Sequence, residues 1–143
     1  MARIVCIDYG IKRCGIAATD PFQIIVSAVD TIETAKLMDF LDNYLANESV
    51  EKLVVGLPVH KDGNFTGLKT NIDDFVQKFK TKFAHIPVDF AEERFSSVHG
   101  KTDDIWTVAS KKTKEAGQRA WIDKVSAVII LQRYLKAHLI RSI

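Results

Sequence analysis

The hydrophobic pattern of the chain changes period several times, and each change marks an element. Ile4-Val5-Cys6-Ile7 is an unbroken apolar run, which predicts a strand over residues 3–7 buried on both faces. Asp8-Tyr9-Gly10 breaks that run, and Gly15–Thr19 resumes a strand after a short polar turn. Asp20-Pro21 signals another turn, and Gln23–Val29 reads as a third strand. Three strands joined by short turns predict an antiparallel meander. From Thr34 to Asn47 the period becomes helical, with Leu37, Leu41, Tyr44 and Leu45 on one face. Leu53-Val54-Val55 predicts a short buried strand ended by Gly56 and Pro58, followed by a turn at Asp62-Gly63-Asn64. Leu68, Ile72, Phe75, Val76, Phe79 and Phe83 predict a second amphipathic helix, and Pro87–Ala91 a fifth strand. Residues 98–117 are polar and lysine-rich without clear periodicity, which predicts a loop with at most a short helix. Arg119–Arg141 reads as a long final helix.

The predicted order is β-β-β-α-β-α-β-α. Hairpins at the start and helix-separated strands afterwards imply an α/β fold with a mixed five-stranded sheet flanked by helices. By analogy of element order it resembles the ribonuclease-H-like folds. At 143 residues the chain is expected to form one domain, over residues 1–143. No apolar run approaches the ~20 residues that span a bilayer, so a cytoplasmic protein without a membrane partner is expected. Cys6 and Cys14 cannot form a disulfide framework or a C-x-x-C metal site, and reduced core thiols are expected. The formal charge of +2 hides an asymmetry: residues 101–143 hold 9 Lys+Arg against 4 Asp+Glu, and residues 1–100 hold 11 against 14. A basic third beside an acidic remainder suits a nuclease, which needs cations for phosphate and carboxylates for metal.

The carboxylates carry the candidate chemistry. Asp8 ends a buried strand at a glycine turn, a costly place for an acid that does no work there. Glu92 and Glu93 follow the fifth strand, and alternation sends one to each face, so only one of them can join Asp8. Asp123 heads a stripe of the final helix that continues through Ala127, Ile130 and Tyr134, facing the core rather than solvent. Converging carboxylates repel unless a cation neutralises them, and oxygen donors suit Mg²⁺ or Mn²⁺. Paired ions of that kind drive phosphodiester cleavage. His60, His85, His99 and His138 are scattered and form no nucleophilic arrangement.

With those residues in view, the chain resembles the YqgF-type, RuvC-like nucleases in four ordered motifs. Ile7-Asp8-Tyr9-Gly10 with Lys12-Arg13, Gly15 and Asp20-Pro21 is similar to the first, and Val54-Val55-Gly56-Leu57-Pro58 with Asp62-Gly63 to the second. Glu92-Glu93-Arg94-Phe95-Ser96-Ser97 resembles the third, and Asp123-Lys124 with Ala127, Ile130-Leu131-Gln132 and Tyr134-Leu135 the fourth. Ile11 stands where that family often has Thr, and Glu92 where it usually has Asp. The resemblance implies Asp8, Glu93 and Asp123 as metal-holding catalytic acids. It implies phosphate contacts for Lys12, Arg13 and Arg94, and the basic cluster Lys111, Lys112 and Lys114 is expected to bind nucleic acid. The function it implies is a Mg²⁺- or Mn²⁺-dependent endonuclease maturing the 5′ end of pre-16S rRNA, with the small ribosomal subunit precursor as a partner. Four-way DNA junction cleavage is the alternative, and a non-catalytic ribosome-assembly factor is the alternative of another class. The chain is then a monomer or a homodimer. A nucleotide-binding domain of the actin type shares the strand–Asp–x–Gly opening but needs two such domains, which 143 residues do not hold.

Overall fold

The computed structural model describes residues 2–59, 67–94 and 126–137. β1 (Arg3–Asp8), β2 (Arg13–Thr19) and β3 (Val26–Glu33) form the meander. A single 3-10 turn over Thr34–Lys36 leads into α1 (Leu37–Asn47), then β4 (Val50–Val59), α2 (Lys69–Lys82) and β5 (Val88–Arg94). A further helix, α3, runs over residues 126–137. The sheet order is β3-β2-β1-β4-β5, with β1–β2 and β2–β3 antiparallel and β1–β4 and β4–β5 parallel. This is the mixed five-stranded sheet expected of a ribonuclease-H-like fold.

The apolar run of β1 occupies the middle of the sheet because its side chains must be buried on both faces, and only a central strand offers that. Val5 and Ile7 enter one core with Cys14, Ile16, Leu53 and Val55, covered by Leu37 and Leu41 of α1 and Ile72, Phe75 and Phe79 of α2. Ile4 and Cys6 enter the other with Ala17 and Val54, covered by Ala127, Ile130, Leu131 and Tyr134 of α3. Cys6 and Cys14 therefore lie on opposite faces of the sheet, both buried and neither in a disulfide, although the hairpin between them is short.

Several boundaries differ from expectation, β3 for instance running on to Glu33 rather than ending at Val29, and three of the differences have a non-local reason. The third strand starts at Val26 rather than Gln23, because residues 20–25 close into a loop on the Asp20 carboxylate. β4 runs through Gly56 and Pro58 to Val59 instead of ending at Val55. Beyond Val55 its only strand partner among the described residues is β5, and proline is tolerated where one side of a strand carries no ladder. β5 likewise continues to Arg94, so Glu92 and Glu93 lie within the strand, level with Leu57 and Pro58.

Both outer strands carry an aspartate folded onto the next residue's amide. Asp30 Oδ1 accepts the Thr31 N–H at 2.8 Å, and Asp89 Oδ1 accepts the Phe90 N–H at 2.9 Å. Among the described residues no helix is long and apolar enough to cross a membrane.

Candidate active site

The candidate site begins at the end of β1. Ile4 and Cys6 face α3, so strand alternation gives Asp8 the same face, at the C-terminal edge of the sheet. Asp8 is half-buried there and pairs across the antiparallel ladder with Gly15, which has no side chain to crowd it. Tyr9 takes the opposite face and packs on Phe75 of α2, ring centroids 5.7 Å apart. Burial, then the nearby Cys14 and Asp74, push the Tyr9 phenol above its ordinary range, so the ring is a neutral anchor for the strand end.

Beyond Tyr9 the backbone turns too sharply for any side chain at position 10. A Cβ on Gly10 would run into the Arg13 carbonyl oxygen. Thr34 closes the turn from outside: its hydroxyl donates to the Gly10 carbonyl at 2.7 Å, and its N–H donates to the Lys12 carbonyl at 3.0 Å. The turn presents Ile11 and Lys12 to solvent, and Arg13 is half-buried with the strand parity of Gly15, hence on the Asp8 face.

α3 reaches this face through a glycine as well. A Cβ on Gly56 would lie 2.8 Å from Ile130 Cδ1 and 3.7 Å from the Ile7 carbonyl oxygen, so any larger residue would push the helix off the sheet. Further along, Lys52 Nζ donates to Tyr134 Oη at 2.9 Å, and that hydroxyl donates to Asp89 Oδ2 at 2.7 Å. Tyr134 is buried, and Lys52 also sits 5.4 Å from its ring centroid. Gly56 thus sets the depth of α3, and Tyr134 sets its rotation by joining it to β4 and β5 at once.

The register separates the two glutamates. Glu92 is level with Leu57, whose parity belongs to the α1/α2 core, and Glu92 is exposed. Glu93 is level with Pro58, the parity of Val54 and Gly56 on the α3 face, and so holds the strand position on Asp8's side of the sheet. Of Glu93 and Arg94 the strand backbone is described. Asp123, Lys111, Lys112 and Lys114 lie outside the described residues. Among the described residues no three His, Cys, Asp or Glu side chains come together. Asp8 offers a hard oxygen donor at a half-buried edge, and the donor set expected with it is all carboxylate, chemistry that fits a divalent cation of the Mg²⁺ class rather than zinc.

Sequence reasoning missed the residues that hold this edge in shape. Thr34 opens the predicted first helix, Lys52 precedes the predicted fourth strand and Asp89 lies within the predicted fifth, with no role expected of any of them. Their partners lie 24, 82 and 45 residues away, and no local signal announces such pairs.

A family model described as "RuvX: Holliday junction resolvase" matches residues 2–137. A candidate pre-16S rRNA nuclease of Bacteroides fragilis is 41% identical over 136 residues, covering 95% of this chain and 97% of the relative. A protein of the same description from Bacteroides thetaiotaomicron is 39% identical over 137 residues, covering 96% and 98%. One from Porphyromonas gingivalis is 40% identical over 135 residues, covering 94% and 96%. With a model match that runs from before β1 to the end of α3, the chain belongs to the RuvX Holliday junction resolvase family.

Proposed function

We propose that this chain, a single domain acting in the cytoplasm, is a metal-dependent endonuclease that matures the 5′ end of pre-16S rRNA. The observation that carries the reading is Asp8: a half-buried acid at the exit of the central strand, on the sheet face that α3 covers. The description shared by the relatives supports the RNA substrate. Asp8, Glu93 and Asp123 hold Mg²⁺ or Mn²⁺. A divalent cation bound there supplies the positive charge that activates water and offsets charge on the phosphate. Lys12, Arg13 and Arg94 steady the non-bridging phosphate oxygens, and the fixed turn at Gly10 keeps Lys12 in place without reorganisation. Lys111, Lys112 and Lys114 hold the polynucleotide outside the acid cluster, and the small ribosomal subunit precursor is the physiological carrier of the substrate.

Cleavage of four-way DNA junctions is the second reading, favoured by the description of the matching family model. It requires two symmetric cuts and hence a two-fold dimer. The deciding experiment offers a pre-16S 5′ leader and a four-way junction side by side, with Mg²⁺, with Mn²⁺ and with chelator. The expected result is metal-dependent cleavage of the leader. Cleavage of the junction alone selects the second reading, and binding without cleavage under every condition selects a non-catalytic assembly factor.

A further inference from the structure

Three of the five large apolar side chains that stand exposed among the described residues belong to one short loop between β2 and β3. Phe22 is 63% exposed, Ile24 76% and Ile25 63%. The loop is not slack. The Asp20 carboxylate accepts the Phe22 N–H at 3.1 Å and the Ile24 and Ile25 N–H groups at 2.7 Å each. Backbone bonds from Asp20 N–H to the Ile25 carbonyl, 3.1 Å, and from Gln23 N–H to the Asp20 carbonyl, 2.9 Å, close the ring. Gln23 is held at φ 61°, a left-handed conformation that non-glycine residues adopt at a cost. Its side-chain amide donates to the Ala2 carbonyl at 3.0 Å and to Glu51 Oε1 at 2.6 Å. A connection of this length needs neither the strained residue nor the apolar tip. Together they present three hydrophobic side chains to solvent on a backbone that is already held, so little backbone entropy is left to lose on contact.

Position and charge select the occupant. Thr19, where the loop begins, bonds through its hydroxyl to the Ile4 N–H, at the opposite end of β1 from Asp8. Six strand residues span about 17 Å, so the tip stands at the other end of the central strand from the Asp8 edge. The charged groups that the hydrogen bonds place around the tip are Asp20, Glu51, Glu48 and Arg3, and the Arg3 guanidinium is engaged by Glu48 at 3.0 Å and the Thr19 carbonyl at 2.9 Å. Phosphate meets carboxylates here, which disfavours nucleic acid. An apolar pocket rimmed by Lys and Arg on a protein surface complements both the tip and its rim.

We propose that the 20–25 loop docks the chain onto a basic protein component of the particle that carries its RNA substrate. The identity of that particle as the small-subunit precursor rests on the function proposed above. The test is co-sedimentation of the full chain with purified precursor small-subunit particles and, separately, with the RNA extracted from them. Wild type is compared with a Phe22→Ser/Ile24→Ser double variant, with melting temperature as the fold control. The expected result is at least tenfold weaker binding of the variant to particles, binding to extracted RNA within twofold of wild type, and unchanged cleavage of the protein-free leader. Asp20→Asn, which leaves the tip's side chains in place but loosens their frame, should weaken particle binding less. Equal particle binding by wild type and double variant overturns the proposal. So does an equal loss on extracted RNA, which would assign the tip to nucleic acid. A wild-type dimer that the double variant abolishes, with particle binding unaffected, overturns it in favour of a second copy. If wild type cleaves no leader yet binds particles through the tip, the nuclease reading falls and the docking surface stands.

Discussion

The two faces of the sheet are built on different plans. The α1/α2 face is packed by two helices with large side chains, Phe75, Phe79, Ile72, Leu37 and Leu41, against Val5, Ile7, Ile16, Leu53 and Val55. The α3 face has small residues, Cys6, Ala17, Ala127 and partly buried Ala91, a glycine under Ile130, and a polar chain from Lys52 through Tyr134 to Asp89. The first plan maximises buried apolar area, the main source of stability. The second places backbones and one helix at fixed distances, which is what a half-buried carboxylate edge needs. Asp8 and the strand position of Glu93 belong to the second face, Tyr9 and Glu92 to the first. On the proposed function, stability and chemistry are thus separated by a single strand thickness.

The separation can be broken most sharply at Asp8. Asp8→Asn is expected to reduce cleavage at least ~100-fold while leaving the thermal transition and RNA binding nearly unchanged, since residues that act as a catalytic unit fail together. Turnover within tenfold of wild type would mark Asp8 as a structural acid.

Matched substitutions on the two faces come next. Phe79→Ala removes a fully buried ring from the α1/α2 face and should cost about 3–5 kcal/mol in denaturant titration, with normal kcat for the folded fraction. Gly56→Ala should cost less, about 1–3 kcal/mol of overpacking against Ile130, yet lower kcat and raise the metal concentration for half-maximal cleavage. If Gly56→Ala leaves kcat untouched, the close approach of α3 serves packing alone.

A smaller effect belongs to the basic segment. Replacing Lys111, Lys112 and Lys114 with Ala should flatten the log–log salt dependence of binding by about 2–3 units on duplex DNA and about 2 on single strands, through lost phosphate contacts. The measurement is a binding titration from low to moderate salt, and an unchanged slope removes these lysines from the interface.

The smallest is an acid limit in the 20–25 loop. The Ile25 amide above all, with those of Ile24 and Phe22, holds the Asp20 carboxyl below its ordinary range. A lowered folded-state value means the stabilisation is complete above the ordinary carboxylate range and is lost as pH falls through the lower folded value. The protection factors of the Ile24 and Ile25 amides, taken against their intrinsic exchange rates at each pH, should therefore fall on acidification in wild type, with no such acid step in Asp20→Asn.

What could be read in the sequence follows the same division. The central strand, both amphipathic stripes and the Ala127–Ile130–Tyr134 face are legible because burial imprints a period on the residues themselves. Asp8 is legible because an acid after Ile4–Ile7 violates that period. The length of β4 is not, since Gly56 and Pro58 read as terminators until β5 is known to lie alongside. The start of β3 is misplaced because the Asp20 ring is a tertiary use of a turn signal. The polar chain across Tyr134 is invisible for the same reason, joining residues from three separate elements.

The folded-back aspartates at positions 30 and 89 have a consequence for assembly. Each already occupies one main-chain amide of an outermost strand. A neighbouring sheet that tried to extend the five strands would have to displace a charge-assisted bond and shut a carboxylate away from water at either margin. The molecule is therefore guarded against growing sideways into ribbons or fibres. A pairing of two copies, such as symmetric junction cutting would demand, meets no such cost on helices or loops.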